Sequence, residues 1–229
     1  MKPKRHNPLL HIFLCLIFYL SFSINAYPAV SENLIEFSLS TQSHSSNFKF
    51  PTTAYEVHSD QLGISWYEPF SHYFQAGLEV GYIEMSQLNN PVSSAQFTSG
   101  QYAGLLLRFL PVTTSSLSLI LNLNYRYNRT EGVNSGQNSQ FAWHETVFSS
   151  EIQFHPVELV SFFVAAEYQL VNGEQRDSGD INQIKPFSEA QQEGYRYGLD
   201  LTANRTGIIR LEGFSGFKDG VSLYFKRKF

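Results

Sequence analysis

From Leu117 to Tyr127 every second residue is apolar or aromatic. Leu117, Leu119, Leu121, Leu123, Tyr125 and Tyr127 fall on one face of an extended chain, and Ser118, Ile120, Asn122, Asn124 and Arg126 on the other. A period of two sustained over this length predicts a β-strand with one apolar face. The alternation recurs along the chain. Phe74, Ala76, Leu78, Val80 and Tyr82 oppose Gln75, Gly77, Glu79 and Gly81, and Ala103, Leu105, Leu107 and Phe109 oppose Tyr102, Gly104, Leu106 and Arg108. Phe148, Ile152 and Phe154 oppose Ser149, Glu151 and Gln153, while Phe162, Val164, Ala166 and Tyr168 oppose Phe163, Ala165, Glu167 and Gln169. Tyr195, Tyr197, Leu199 and Leu201 oppose Gly194, Arg196, Gly198 and Asp200. In the last segment Val221, Leu223 and Phe225 share a face with Arg227 and Phe229. With weaker segments around Phe37, Ile64 and Leu211, the pattern predicts strands over 33–42, 59–67, 73–85, 100–110, 116–128, 142–155, 159–171, 193–203, 207–215 and 219–229.

Several of these strands exceed the usual globular length of about five or six residues. They match the roughly 9–11 residues of a tilted strand that crosses a bilayer. The predicted connections alternate between short (68–72, 110–115, 155–158) and long and polar (43–58, 86–99, 129–141, 172–192). Within the last of these, Ser188 three residues before Gln191 suggests a short capped helix over 187–192. The aromatic residues sort into two groups. Trp66, Phe74, Phe109, Phe154, Phe162 and Phe229 lie toward the short connections, and Tyr82, Tyr125, Tyr127, Tyr168, Tyr195 and Tyr197 toward the long ones. Two aromatic girdles around an aliphatic band suit a strand crossing two membrane interfaces. The expected fold is therefore all-β, a transmembrane antiparallel up-and-down β-barrel of about ten strands, with eight as the alternative.

The N-terminus adds a destination. Lys2, Lys4 and Arg5 precede an apolar run from Leu9 to about Ile24 that ends in Ser23-Ile24-Asn25-Ala26. This is the layout of a secretory signal peptide, with cleavage after Ala26. Residues 1–26 are then the signal peptide and 27–229 the barrel. Cys15 lies in the apolar run behind Leu14, which does not read as a lipidation site, and it is the single cysteine. The chain beyond residue 26 therefore has no thiol. It keeps 13 basic against 20 acidic residues, a formal charge of −7 with His neutral. Nothing in that balance favours a nucleic-acid partner.

The sequence resembles the small outer-membrane β-barrel proteins of Gram-negative bacteria. The resemblance covers the whole chain after the signal and rests on that signal, the absent cysteine, the alternating strands and the closing "VSLYFKRKF". Members of the class typically end on Phe, with apolar residues at alternate positions before it. Phe229, Phe225, Leu223 and Val221 match; Arg227 departs, as a side chain able to snorkel near an interface. The resemblance implies an assembly signal read by the barrel-assembly machinery, an environment of outer-membrane lipid and lipopolysaccharide, and pairing of the last strand with the first.

Seven charged residues are expected on the inner face: Glu79, Arg108, Arg126, Glu151, Glu167, Arg196 and Asp200. Glu167 and Arg196 fall at similar heights and are expected to pair. The bland reading of this set is an interior network offsetting buried charge; the functional one is a pore lining. His44, His58, Asp60, His144 and Glu145 fall near the far rim, where ten-stranded outer-membrane proteases carry acidic and His residues, but no matching acidic pair is present. His44 to Asn47 is only superficially similar to the His and Ser of lipid A deacylases. These residues show neither metal-ligand spacing nor a nucleophile with its base in register, and the histidines read as solvated. No cofactor or metal site is indicated. The expected function is a non-enzymatic outer-membrane barrel, structural or surface-interacting through extracellular loops. The alternatives are a small-solute, porin-like channel and, less favoured, a hydrolase at the rim.

Overall fold

The computed structural model describes residues 34–51, 53–87, 97–134, 137–179 and 182–229. The proposed signal peptide lies outside them. The chain forms β1 (Glu36–Lys49), β2 (Ala54–Pro69), β3 (Phe74–Ser86), β4 (Phe97–Thr113), β5 (Leu117–Asn134), β6 (Gln137–Val157), β7 (Val160–Ser178), β8 (Gln183–Glu189), β9 (Glu193–Thr202), β10 (Gly207–Gly216) and β11 (Lys218–Lys228). Consecutive strands pair antiparallel except β8 and β9, and β11 returns to β1 from Glu36–Lys228 to Ser46–Lys218, so the hydrogen bonds form a ring. The lower end carries the turns at 70–73, 114–116, 158–159 and 203–206.

Two of the pairings slip in register, between Phe109 and Val112 and between Phe154 and Val157. Each slip contains a proline, Pro111 or Pro156, which has no N–H to donate. A bulge absorbs the missing rung at the lower end, where the chain is about to turn.

The strands run well beyond their predicted upper ends. The chain expected as long loops at 43–58 and 129–141 is mostly strand, since β1 reaches Lys49 and β5 reaches Asn134. The reason is an inversion of the apolar face. On the lower strands the apolar residues point outward, and on the upper strands they point inward. On β7, Val164 is 59% exposed whereas Val171 is 6% exposed. On β3, Val80 faces out and Ile83 and Met85 face in; on β2, Ile64 faces out and Val57 in. The pleat keeps its phase while the apolar set moves from one parity to the other. A reading that tracks one apolar face stops at the switch.

The predicted capped helix at 187–192 is absent. Residues 183–189 form β8, and the Ser188 hydroxyl donates to Glu189 O at 3.4 Å instead of capping a turn. β8 and β9 both descend and both pair with β7, β8 along Asn172–Asp177 and β9 along Val160–Tyr168. On their other side they diverge. β9 pairs with β10, whereas β8 pairs with β1. The β10–β11 hairpin is thus a wedge that ends below β8. Ten strands close the lower ring (β1–β7 with β9–β11), and eight close the upper one (β1–β8). The wedge turns at Gly216, whose φ of +112° favours glycine, and a Cβ there would lie 2.6 Å from Glu193 O.

Candidate functional site

The lower ring encloses a cavity of about 1500 Å³. Its wall is mixed and carries many polar groups, because each lower strand turns its second parity inward. Ser38, Ser40, Gln42, Ser65, Asn122, Asn124 and Tyr224 line it with hydroxyls and amides. Residues of the lower turns, including His72, Thr114, Ser115, Glu158 and Arg205, form its mouth.

The charged side chains cross this cavity in bars. Arg126 donates to both carboxylate oxygens of Glu79 at 2.8 and 2.9 Å, and to Gln61 at 2.9 Å. Its guanidinium lies 4.3 Å from the Tyr102 ring centre. Arg108 donates to Glu36 at 3.3 Å and Gln75 at 3.0 Å and lies 3.9 Å from the Tyr67 ring centre. The third bar is a cluster. Arg210 pairs with Asp200 (2.6 Å), Glu151 (3.0 Å) and Glu212 (3.4 Å). Arg196 reaches Glu151 at 3.0 Å and Glu212 at 3.1 Å. Its Nε stands 3.0 Å from Glu167 without the alignment of a hydrogen bond. Arg210 also lies 4.2 Å from the Phe163 ring centre.

One local device recurs at all three bars. An inward aromatic ring packs against a neighbouring-strand glycine and lies within cation–π distance of an arginine. A Cβ at Gly81 would fall 2.3 Å from Tyr102 Cζ, one at Gly77 3.0 Å from Tyr67, and one at Gly198 2.8 Å from Phe163. The ring fills the space the glycine leaves, and the guanidinium gains a cation–π contact in addition to its ion pairs.

All seven predicted interior charges point into the lower ring. Glu151, Glu167, Arg196 and Asp200 meet in one cluster, Glu79 and Arg126 in a second bar, and Arg108 stands in a third. The sequence reading missed Glu36, Arg210, Glu212 and Lys218, and placed Glu145 at the rim. The signal for two of them was present, since Arg210 and Glu212 alternate with the outward Ile209 and Leu211. The rim residues do not converge. His58 and Asp60 are on the outer face, and outward His144 donates to or accepts from Tyr125 Oη at 2.6 Å. His44 is a correction to its reading as solvated: it points inward and is buried, because inward is the even parity of β1. Glu145 is likewise interior and accepts from Lys218 at 3.0 Å. Among the described residues no group of His, Cys, Asp or Glu has the arrangement to hold a metal ion.

Above the cavity the eight-stranded ring is filled. Phe48, Phe50, Val57, Ile83, Met85, Tyr102, Phe141, Trp143, Val171 and Phe187 form one buried cluster. Eight strands leave an interior just wide enough for side chains, so these residues seal the ring. Phe187 of β8 is central: its ring centre is 4.7 Å from Phe48, 5.5 Å from Phe50, 6.2 Å from Phe141 and 6.3 Å from Trp143. Polar groups cap the seal. Asp177 accepts from Ser139 at 2.6 Å and from Gln175 and Gln183 at 2.9 Å. The cavity is thus open to solvent at its lower end and closed above.

On the outer surface the lower aromatics cluster. Phe37 stacks on Trp66 at 6.2 Å and meets Phe229 edge-on at 5.9 Å. Val221, Leu223 and Phe225 face outward on β11, opposite Ser43, Thr41 and Leu39 of β1. Arg227 lies 5.4 Å from the Phe229 ring centre.

No protein-family model matches the sequence, and no curated protein matches it. Solved structures do. The outer-membrane protease OmpT of Escherichia coli superposes with a TM-score of 0.54 at 10% identity, over 91% of this chain and 100% of that one. The β-domain of the Bordetella autotransporter BrkA gives a TM-score of 0.50 at 12% identity, over 86% and 99%. The chain therefore shares the fold of bacterial outer-membrane β-barrel proteins.

Proposed function

We propose that this chain is an outer-membrane β-barrel of the channel type, in which residues 1–26 are a cleaved signal and 27–229 the barrel. The lower, ten-stranded ring crosses the bilayer. The inversion of the apolar face supports this placement, since lipid favours apolar side chains outside and water favours them inside. On β5 the outward apolar run from Leu117 to Tyr127, at ~3.3 Å per residue and tilted roughly 40°, spans about 25 Å, the height of an outer-membrane apolar band. The lower mouth then faces the periplasm. The upper ring stands among lipopolysaccharide headgroups and beyond. Val221, Leu223, Phe225 and Phe229 present the alternate apolar positions expected of an assembly signal.

The observation that carries the functional reading is the cavity of about 1500 Å³, crossed by charged side chains, with its mouth at the lower turns. A scaffold needs no cavity of that size, because small barrels can fill their interior with side chains. The paired charges hold the lumen open and hydrated, and solutes small enough to pass between the bars can occupy it. A rim hydrolase is the weaker reading because the rim acids and histidines point to different sides of the wall. Planar-bilayer recording of refolded protein tests the proposal. Discrete conductance steps are expected, with long closed periods imposed by the upper seal. If the protein stays silent, and stays silent when Phe187 and Trp143 are both replaced by Ala in a barrel that still folds, the channel reading is wrong.

A further inference from the structure

We infer that β8 is the gate of this lumen, opening by parting from β1 while it stays attached to β7. The inference rests on the channel reading and adds where the seal breaks. The two sides of β8 are held very differently. Toward β7 the register runs from Asn172–Ser188 to Asp177–Gln183. Toward β1 it consists of Phe48–Glu189 and Lys49–Ser188, with Ala190 N donating to Asn47 O at 3.0 Å. By contrast β1 pairs with β2 from Glu36–Tyr67 to Lys49–Ala54. The β8–β1 seam is the shortest in the upper ring.

The seam has little scope to grow. Residues two apart on a strand direct their N–H groups to the same side. Ala190 donates toward β1, so Pro186 stands on the same edge with no N–H to add a further rung. The β7 side is reinforced by a side chain. The Glu189 carboxylate accepts from Val171 N at 2.5 Å and from Gln192 Nε2 at 2.7 Å, a charge-assisted anchor at the break between β8 and β9. The β10–β11 wedge ends at Gly216 and Phe217, so the strands beneath β8 do not hold it to β1.

Parting at this seam removes the seal directly. Phe48 belongs to β1 and Phe187 to β8, and their rings stack at 4.7 Å across it. If β8 swings out with β7, Phe187 leaves the cluster and takes with it the ring that Phe50, Phe141 and Trp143 pack around. The lumen below then connects with the exterior. Local opening of this kind selects the segment with the fewest backbone rungs.

The chain beyond residue 26 has no cysteine, so engineered pairs report without interference. Lys49→Cys with Ser188→Cys places a disulfide across the β8–β1 seam. Arg176→Cys with Ile184→Cys, an outward register pair on the β7 side, is the control. Each variant is first shown to fold by its shift in gel mobility on boiling, then recorded in planar bilayers oxidised and reduced. Oxidation of the Lys49–Ser188 pair is expected to lower the open fraction by about tenfold or more, with recovery on reduction. The control pair is expected to conduct equally in both states. Equal conduction by the oxidised and reduced Lys49–Ser188 variant overturns the gate and leaves the channel standing. Loss of conduction on oxidising the control instead places the moving edge at β7. Silence of every form, reduced included, overturns the channel reading and the gate with it.

Discussion

Parity decides the role of each residue in these strands, and neighbours in sequence meet different surroundings. Leu105 is 56% exposed on the outer face, between Leu78 and Tyr125 in register. Asn122 is inward and donates to Ser149 at 3.1 Å. Leu105→Arg is expected to destabilise the barrel in lipid by about 2–4 kcal/mol, whereas Asn122→Arg, facing water in the lumen, costs much less. Urea titration of refolding into vesicles measures both, and equal losses would show that the outer face does not meet lipid. The arginine bars make a second prediction at this scale. Arg126→Met leaves Glu79 without its bidentate partner; both side chains keep 12% exposure, so the loss is expected to fall below the ~3–5 kcal/mol of a fully buried pair. Adding Glu79→Gln removes the stranded charge. The double variant is therefore expected to recover most of the loss in the same titration. Additive losses would mean that Arg126 acts through its packing on Tyr102 and not through the pair.

At the scale of elements, the unusual member is β8. It is seven residues long, and without it the upper ring has no eighth strand and the lumen no seal. Phe187 is the only large apolar side chain that β8 sends inward among its described residues, and it is 3% exposed. Phe187→Ala is expected to cost about 3–5 kcal/mol by the usual measure of a buried ring. That loss should be confined to the upper ring, because the lower ring closes through β9–β11 independently. Hydrogen exchange should accelerate at β8 and at the Asn172–Asp177 segment of β7, with the lower strands unchanged. Uniform acceleration would show that the two rings unfold as one unit and that the seal is part of the barrel's global stability.

For the whole molecule, closure depends on the ends. Ile35 N donates to Phe229 O at 3.1 Å and Phe229 N to Ile35 O at 2.9 Å, one rung beyond the β1–β11 strand pairs. Phe229 also meets Phe37 edge-on. Deleting Phe229 therefore removes two backbone hydrogen bonds and an interfacial ring, each worth on the order of 1 kcal/mol net. A barrel closed along eleven β1–β11 register pairs tolerates that loss in detergent. Assembly in cells competes with proteolysis and is more sensitive. The deletion is expected to deplete folded protein in the outer membrane several-fold while refolding into detergent stays near normal. An equal fall in both settings would make Phe229 an ordinary stabilising contact, and unchanged abundance would show that it is not read during assembly.

The lower ring was legible because a two-residue period is a local property. Leu117–Tyr127 states its outward face without reference to any neighbour, and Glu79, Arg126 and Asp200 follow to the other face by counting. The upper ring was hidden because its apolar parity is reversed. Segments such as 138–144, with Phe141 and Trp143 in and Gln140 out, are as regular as the lower ones, yet they break the phase of the strand they continue. β8 carries too short a pattern to declare itself, and its Ser188 and Gln191 imitate a helix cap. Which charges meet is a different kind of information. Glu36 reaches Arg108 across 72 positions, and Glu151 reaches Arg210 across 59. Such partners are fixed by shear and register, quantities that belong to the closed ring. The sequence by itself determined the lower strands, their outward face and part of the charged inner face, because these follow from the pleat of one strand. Only the tertiary structure decided that ten strands become eight, since that depends on where β8 and the β10–β11 wedge find their partners, and with that narrowing came the sealed end of the lumen.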